Sequence, residues 1–441
     1  MFTEGKKYKV FLEYYYMVAK IINILEDVLK KIEPEKEELN LIKNTVKEFI
    51  KDLTKRTKKS KIKAEIFVGG SLAKKTVIKK GAYDVDIFLR FDNKYKNNEI
   101  SGLTKKLLKG IKNVLIVHGS RDYFRVQINK NFYIELIPVI KVSNPKEAQN
   151  ITDLSYSHVK YINKRVKSKK VLNDIRIAKA FCHANKCYGA ESYIKGFSGY
   201  GLELLVYHYK GFLKFVKAMS KIKEKVVIDI EKDHKNKQSI LMDLNSSKLD
   251  SPIILIDPTF KQRNVLAALS DSTFKKFQTD CKKFLKNPNI KSFEIIETDL
   301  DKVQKEAKKK KQEFILLEAK TNRQEGDIAG SKLLKFYGHL DYEISKFFDI
   351  KKKGFNYGGI QSARYFFVVN KKKEILLCGP RISDNKNVKK FKKQHKKTFI
   401  KAKNICAKEK INFDIKEFMN NWRKKNKNRI KEMYILDLKI I

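Results

Sequence analysis

GGSLAKKTVIKKGAYDVDIFLRF, residues 69–91, is the stretch on which the reading of this chain turns. It leaves the apolar run Ile66-Phe67-Val68 through a Gly-Ser turn, crosses a basic segment, and enters a second apolar run that opens with Asp84 and Asp86. Side chains alternate along a β-strand, so Asp84 and Asp86 share one face while Val85 and Ile87 point to the core. The two-residue step separates the aspartates by roughly 6.7 Å along the strand.

Both carboxylates therefore border a space able to hold metal ions about 3.5–4 Å apart. The Gly-Ser turn, opening a helix beside them, offers backbone N–H groups and the Ser71 hydroxyl to a phosphate. An isolated D-x-D pair is most often a solvated strand edge, and an isolated Gly-Ser no more than a turn. In this order, between two strand-like runs, they imply nucleotidyl transfer. Downstream, Tyr123–Ile128 and Phe132–Pro138 flank Asn129-Lys130-Asn131 and read as a hairpin. Glu135 is the only acid in the second of these strands, where an unpaired charge is costly. A divalent cation shared with Asp84 and Asp86 would remove that cost. A solvated face, or a pair with Arg125, is the competing explanation.

The chain has 441 residues, enough for about two to four domains at roughly 100–200 residues each. Its 98 Lys and Arg against 50 Asp and Glu leave a formal charge of +48. That surplus implies a polyanionic partner, and its size favours nucleic acid over a small anion. Exchange of Arg for Lys leaves net charge unchanged and does not account for it. Met1–Lys31 mixes Lys and Glu with apolar residues at helical spacing and lacks the unbroken apolar core of a signal peptide. No apolar run approaches the length needed to span a bilayer. The five cysteines are odd in number and form no C-x-x-C pair, which fits a reducing, cytoplasmic setting and argues against a disulfide framework or a zinc site.

The periodicity predicts an α+β, multidomain chain. Residues 1–57 read as two helices broken near Pro34, and Ala64–Val142 as an α/β or α+β unit with a helix from about Glu99 to Ile111. Residues 151–220 are mostly helical by apolar spacing, interrupted by the turn Gly196–Gly201, and strand-like runs return at Val226–Asp229 and Ile253–Ile256. A third part carries a helix over Phe274–Phe284, a strand over Phe314–Ala319, a helix around Lys332–Phe348, and strands at Ala363–Asn370 and Glu374–Cys378. Boundaries fall at 1–150, 151–270 and 271–441. Asn385–Ala407 contains no acid and many lysines interleaved with Phe391, His395, Phe399 and Ile400. It reads as a helix presenting cations to a phosphate backbone, against the alternative of a disordered basic tail.

Taken together, these residues resemble the archaeal-type (class I) CCA-adding enzymes, the tRNA nucleotidyltransferases of the polymerase-β-like superfamily. The resemblance runs from about Ile62 to about Lys397. Besides Gly70-Ser71 and Asp84/Asp86 it includes Tyr188-Gly189-Ala190-Glu191, Gly196-Phe197-Ser198-Gly199-Tyr200, Asp257-Pro258 with Arg263-Asn264-Val265, and Gly379-Pro380 with Asn387-Val388-Lys389-Lys390-Phe391. It implies a polymerase-β-like palm, a helical central domain, and a C-terminal α+β domain with a basic tail. The implied activity is template-independent addition of C, C and A to the 3′ end of tRNA, from CTP and ATP, with two Mg²⁺ ions and release of pyrophosphate. On this resemblance Asp84, Asp86 and Glu135 are the catalytic metal carboxylates. Gly70, Ser71 and Lys74 form the nucleotide-contacting turn, and His158, Lys179 and Tyr188 hold sugar and triphosphate. Arg263 helps to read the incoming base; a planar guanidinium makes paired hydrogen bonds that a lysine cannot.

The chain departs from the family pattern in three places. Glu135 stands where an Asp is usual, Lys74 replaces an Arg and loses its bidentate phosphate contact, and Thr76–Asp84 runs about one residue long. The implied partner is the acceptor stem and 3′ end of tRNA, with no membrane; the sequence leaves a homodimer open. Two other readings compete, a poly(A) polymerase-like tailing enzyme and a non-catalytic RNA-binding protein on the same fold. The Arg263 motif favours CCA addition over the first, and the full set of acids argues against the second.

Overall fold

Pro34 sets the first boundary. Helix α1 (Glu4–Ile32) ends before it and α2 (Lys36–Lys59) begins after it, because proline lacks an N–H and disfavours helix in the residue preceding it. The computed structural model describes residues 4–395 and 397–441, so Met1–Thr3 of the expected helical pair and Lys396 of the basic segment lie outside the described residues. The chain divides into two compact units, Met1–Ile296 and Glu297–Ile441.

In the first unit, β1 (Ala64–Val68) passes through the single turn α3 (Gly70–Ala73) into β2 (Tyr83–Phe91). There follow α4 (Ile100–Leu107), β3 (Val114–Val117), β4 (Tyr123–Asn129) and β5 (Phe132–Ile140). The sheet order is β1-β2-β5-β4-β3. Strands β4 and β5 form the predicted hairpin, and β5 runs parallel to β2, setting Glu135 opposite Asp86 and Tyr133 opposite Asp84. Val85, Ile87 and Leu89 alternate into a core with Ile134, Leu136, Leu53 of α2 and Ile100 of α4. Each such side chain stabilises the sheet by about 1.5–3 kcal/mol when fully buried. Burial of one face fixes the register, and with a period of two it fixes the acids on the other.

Asp153 ties the sheet to the helical region after it. Buried with Arg121 as an ion pair, it also accepts hydrogen bonds from the backbone N–H groups of Ile140, Gln149 and Asn150 at 2.8, 3.1 and 2.9 Å. The chain then turns helical with α5 (Ser155–Arg165), α6 (Lys169–Ala184), α7 (Gly199–His208) and α8 (Phe212–Lys221). Next come β6 (Val226–Ile228), α9 (Lys237–Asp243), β7 (Ile253–Asp257), β8 (Phe260–Asn264) and α10 (Asp271–Lys286). Strands β6-β7-β8 form a small sheet. The helices pack around Phe181, Phe197, Phe212, Phe215, Phe277 and Phe284, all fully buried.

The second unit comprises α11 (Leu300–Lys309), β9 (Glu313–Lys320), α12 (Asp327–Ser345), β10 (Phe348–Tyr357), β11 (Ser362–Lys371) and β12 (Glu374–Arg381). It continues with α13 (Asn385–Gln394), β13 (Thr398–Lys401), β14 (Asn404–Lys410), α14 (Ile415–Lys425), α15 (Lys427–Glu432) and β15 (Asp437–Ile440). One sheet runs β10-β11-β9-β15 and a second β12-β14-β13.

Two expectations change here. Phe348 opens a strand instead of closing a helix, because Phe348–Tyr357 pairs along β11. The basic segment is neither one helix nor a terminal tail. It is helical only to Gln394, then folds as a hairpin in which Phe399 pairs with Cys406 and Ile400 with Ile405, and α14, α15 and β15 come after it.

Candidate active site

The Gly-Ser turn lies against the acid-bearing face of β2. The Gly69 N–H donates to the Asp86 carbonyl at 2.8 Å. A Cβ on Gly69 would come within 2.2 Å of the Phe88 ring. Gly70 has φ +56°, and a Cβ there would stand 1.7 Å from Asp86 Oδ2. Only glycine permits both this backbone conformation and this approach.

Asp84, Asp86 and Glu135 share one face across the parallel β2/β5 pair, each half-buried. They differ in their partners. Lys80 pairs with Asp84. Arg125 Nη2 donates to Glu135 Oε1 at 2.9 Å, so the pairing left open as an alternative for Glu135 is present beside Asp86. Asp86 has no hydrogen bond or ion pair to its carboxylate among the described residues. Desolvation, reinforced by repulsion from Glu135 and Asp84, lifts it from 3.8 to about 7. Desolvation also raises Glu135, against the lowering effect of Arg125.

Among the described residues no three His, Cys, Asp or Glu side chains are drawn into a closed ligand cluster, because Lys80 and Arg125 hold the outer acids. The donor set nevertheless fits a hard divalent cation. It is all carboxylate oxygen, and its central member is raised for want of a positive neighbour.

A cavity of about 220 Å³ opens in front of these acids, lined by Gly70, Ser71, Lys74, Asp84, Asp86, Lys179 and Tyr188, with Thr76, Lys80, His183 and Glu203. Tyr188 stacks on His183 at 4.1 Å between ring centres. Burial, assisted by Lys80 and Lys179, lowers His183 to about 4, so its ring is neutral. Lys74 and Lys179 are both buried, and both bind the fully buried Glu203, at 2.6 and 2.9 Å. Desolvation opposes the Glu203 charge, but the two ammonium groups prevail and hold it at about 2.

His158 and Arg263 do not line this cavity. They meet on the buried Asp257 at the end of β7, whose Oδ2 lies 2.7 Å from Arg263 Nη1 and 3.0 Å from His158 Nε2. Tyr200 and Thr259 donate to its other oxygen. His158 stacks on Tyr200 at 4.1 Å, and the Lys74 ammonium sits 6.0 Å from the Tyr200 ring centre, so the second cluster adjoins the first. Glu203 and Asp257 were not anticipated as site residues. The available signal was local: each is the lone acid in an apolar element, GYGLELLVYH and IILID.

Residues 173–294 match the family model described as "tRNA nucleotidyltransferase, second domain". This region contributes Lys179, Tyr188, Glu203, Asp257 and Arg263 to the two clusters. Curated relatives extend the likeness. The CCA-adding enzyme of Nanoarchaeum equitans is 43% identical over 173 residues, 39% of this chain and 43% of its own length. That of Methanococcus maripaludis is 31% identical over 48% of this chain and 50% of its own, and that of Methanocaldococcus jannaschii 27% over 65% and 64%. The chain spans about half the length of the first of these relatives that it matches. Among solved structures, Cid1, described for its RNA terminal uridylyl transferase activity, has a TM-score of 0.49 and 13% identity over 63% of this chain and 98% of that one. The acid-bearing sheet and the matched helical region give the class, a nucleotidyltransferase-type α+β chain. Within that class its sequence relatives are the archaeal-type CCA-adding enzymes.

Proposed function

We propose that this chain is a cytoplasmic CCA tRNA nucleotidyltransferase, adding or repairing the 3′-terminal CCA of tRNA from CTP and ATP without a nucleic-acid template. The observation that carries this reading is the Gly69-Gly70-Ser71 turn lying on Asp86 in one cavity with Lys74 and Asp84, in a chain whose curated relatives are CCA-adding enzymes. Asp84, Asp86 and Glu135 would hold two Mg²⁺ ions. Bound there, such ions lower the pKa of the attacking hydroxyl and neutralise the leaving pyrophosphate. Ser71 and the N–H groups of its turn orient the phosphates, and Tyr188 and the neutral His183 wall the cavity. His158 and Arg263, braced on Asp257, face the nucleoside. The +48 charge supplies the field that gathers the acceptor stem of tRNA.

The direct test offers tRNAs lacking one, two or three 3′ nucleotides with each triphosphate alone and together. Addition of C, C and A in that order supports the reading. Unbounded tailing with A, or no extension, would replace it. Arg263→Ala is expected to blur the choice between C and A while slowing catalysis by no more than about tenfold, since one guanidinium fork contributes about 1–3 kcal/mol of base discrimination. Sequencing the added ends checks this, and unchanged ends would remove Arg263 from base choice.

The metal assignment also sets a pH dependence. The fold raises the Asp86 pKa from 3.8 to about 7. Its contribution to stability is therefore fully present below about 3.8 and is lost as pH rises through about 7. A cation bound at Asp86 takes the place of that proton. Mg²⁺ should then raise the melting temperature more at about pH 8 than at about pH 6. Equal shifts at both would mean that no cation sits on Asp86.

A further inference from the structure

Glu203 is the only acid of α7 and no part of it reaches solvent. Its carboxylate joins elements distant in sequence. Oε2 accepts from Lys74 at the end of the Gly-Ser turn (2.6 Å), and Oε1 accepts from Lys179 on α6 (2.9 Å) and from the Thr76 hydroxyl (3.0 Å). The two lysines stand differently. An ammonium has three N–H groups, and Lys179 engages partners with all of them: Glu203, the Thr76 hydroxyl at 2.7 Å and the Thr76 carbonyl at 3.3 Å. Lys74 has Glu203 alone as a hydrogen-bond partner among the described residues, and it lines the cavity that also contains Ser71 and Asp86.

We propose that Glu203 is a positioning residue for nucleotide transfer. It locks Lys179 and Thr76 into a buried bracket and holds the Lys74 ammonium at the cavity wall, so that Lys74, and not Lys179, meets the triphosphate. This rests on the nucleotidyl-transfer reading and adds to it a division of labour between the lysines. The charges agree with it. One carboxylate between two ammonium groups leaves a net positive charge of one in the cluster, enough to attract phosphate without burying an unpaired acid. Removing the Glu203 charge does not weaken attraction for a polyanion; it removes the hold on where the Lys74 cation sits.

The test compares Glu203→Gln, Lys74→Met and the wild-type chain in equilibrium binding of CTP and of inorganic tripolyphosphate, and in single-turnover extension of tRNA at saturating CTP. Lys74→Met should weaken both ligands by about tenfold or more, the loss of a charge-assisted contact. Glu203→Gln should leave both affinities within about threefold while the single-turnover rate falls by about tenfold or more, the mark of a displaced group. Equal weakening of binding by the two variants, or a smaller fall in rate for Glu203→Gln, overturns the assignment. If Glu203→Gln does not fold, Thr76→Val, which loosens the same bracket while keeping every charge, must give the same split. A wild-type chain that binds CTP yet extends no tRNA contradicts the nucleotidyl-transfer reading instead, and the contrast in tripolyphosphate binding then decides the role of Glu203 on its own.

Discussion

Asp86→Ala is expected to abolish nucleotide incorporation, with kcat falling by at least about a thousandfold, ~4 kcal/mol of barrier. Asp86 is the central acid of its face, with Glu135 opposite it on β5, Asp84 two residues away, and the Gly70 backbone against its carboxylate. It is also the acid without a counter-ion: Asp84 keeps Lys80 and Glu135 keeps Arg125. Removing it takes away the carboxylate on which a cation most depends and leaves the outer acids paired with protein cations. The fold should tolerate the change, because desolvation disfavours the charged form of this side chain and nothing else in the described structure relies on it. Binding of tRNA should stay within about twofold, since affinity for a polyanion follows the lysine surplus. Extension assays and filter binding read the two quantities separately. Incorporation at the wild-type rate by this variant would contradict the metal assignment, and a parallel loss of tRNA binding would mean that the substitution acts on the fold.

The features legible in the sequence were local patterns, and local patterns survived. The alternation Val85/Ile87 against Asp84/Asp86 needs only the geometry of a strand, so β2, its acid face and the β4/β5 hairpin could be read directly. The fates of Lys74 and Lys179 could not. Their shared partner lies 129 and 24 residues away in sequence, and no periodicity links a turn, α6 and α7. The same holds for His158 and Arg263, which read as separate motifs until Asp257 joins them. In the second unit, β10 went unseen because Lys351, Lys352 and Lys353 fill its middle. It is an edge strand of its sheet, where lysines are well tolerated. The basic segment after Asn385 misled for a related reason. Its lysines are largely exposed whether helical or extended, so charge did not report the change of structure at Gln394; the pairing of Phe399 and Ile400 with β14 did.

Gly70→Ala should cost about 10²–10³-fold in kcat although it removes no functional group. Two effects act together. The backbone at Gly70 has φ +56°, a left-handed conformation that costs an L-residue with a Cβ roughly 1–2 kcal/mol. The added methyl would also stand 1.7 Å from Asp86 Oδ2, so either the turn lifts or the carboxylate rotates away. A shift of about 1 Å in a reacting constellation is enough for a hundredfold loss. Here the shift would separate Ser71 from the acids it must act with. Gly81, in the same stretch, provides the control: a Cβ there meets nothing within 4 Å, and Gly81→Ala should keep activity within about twofold. Thermal melting should register Gly70→Ala as a modest destabilisation of about 1–3 kcal/mol, with the chain still folded. Steady-state rates for the two alanine variants, measured side by side, decide the matter. If Gly70→Ala turns over like Gly81→Ala, the turn does not need to lie on Asp86 for catalysis, and a phosphate cradle at Ser71 loses its physical basis.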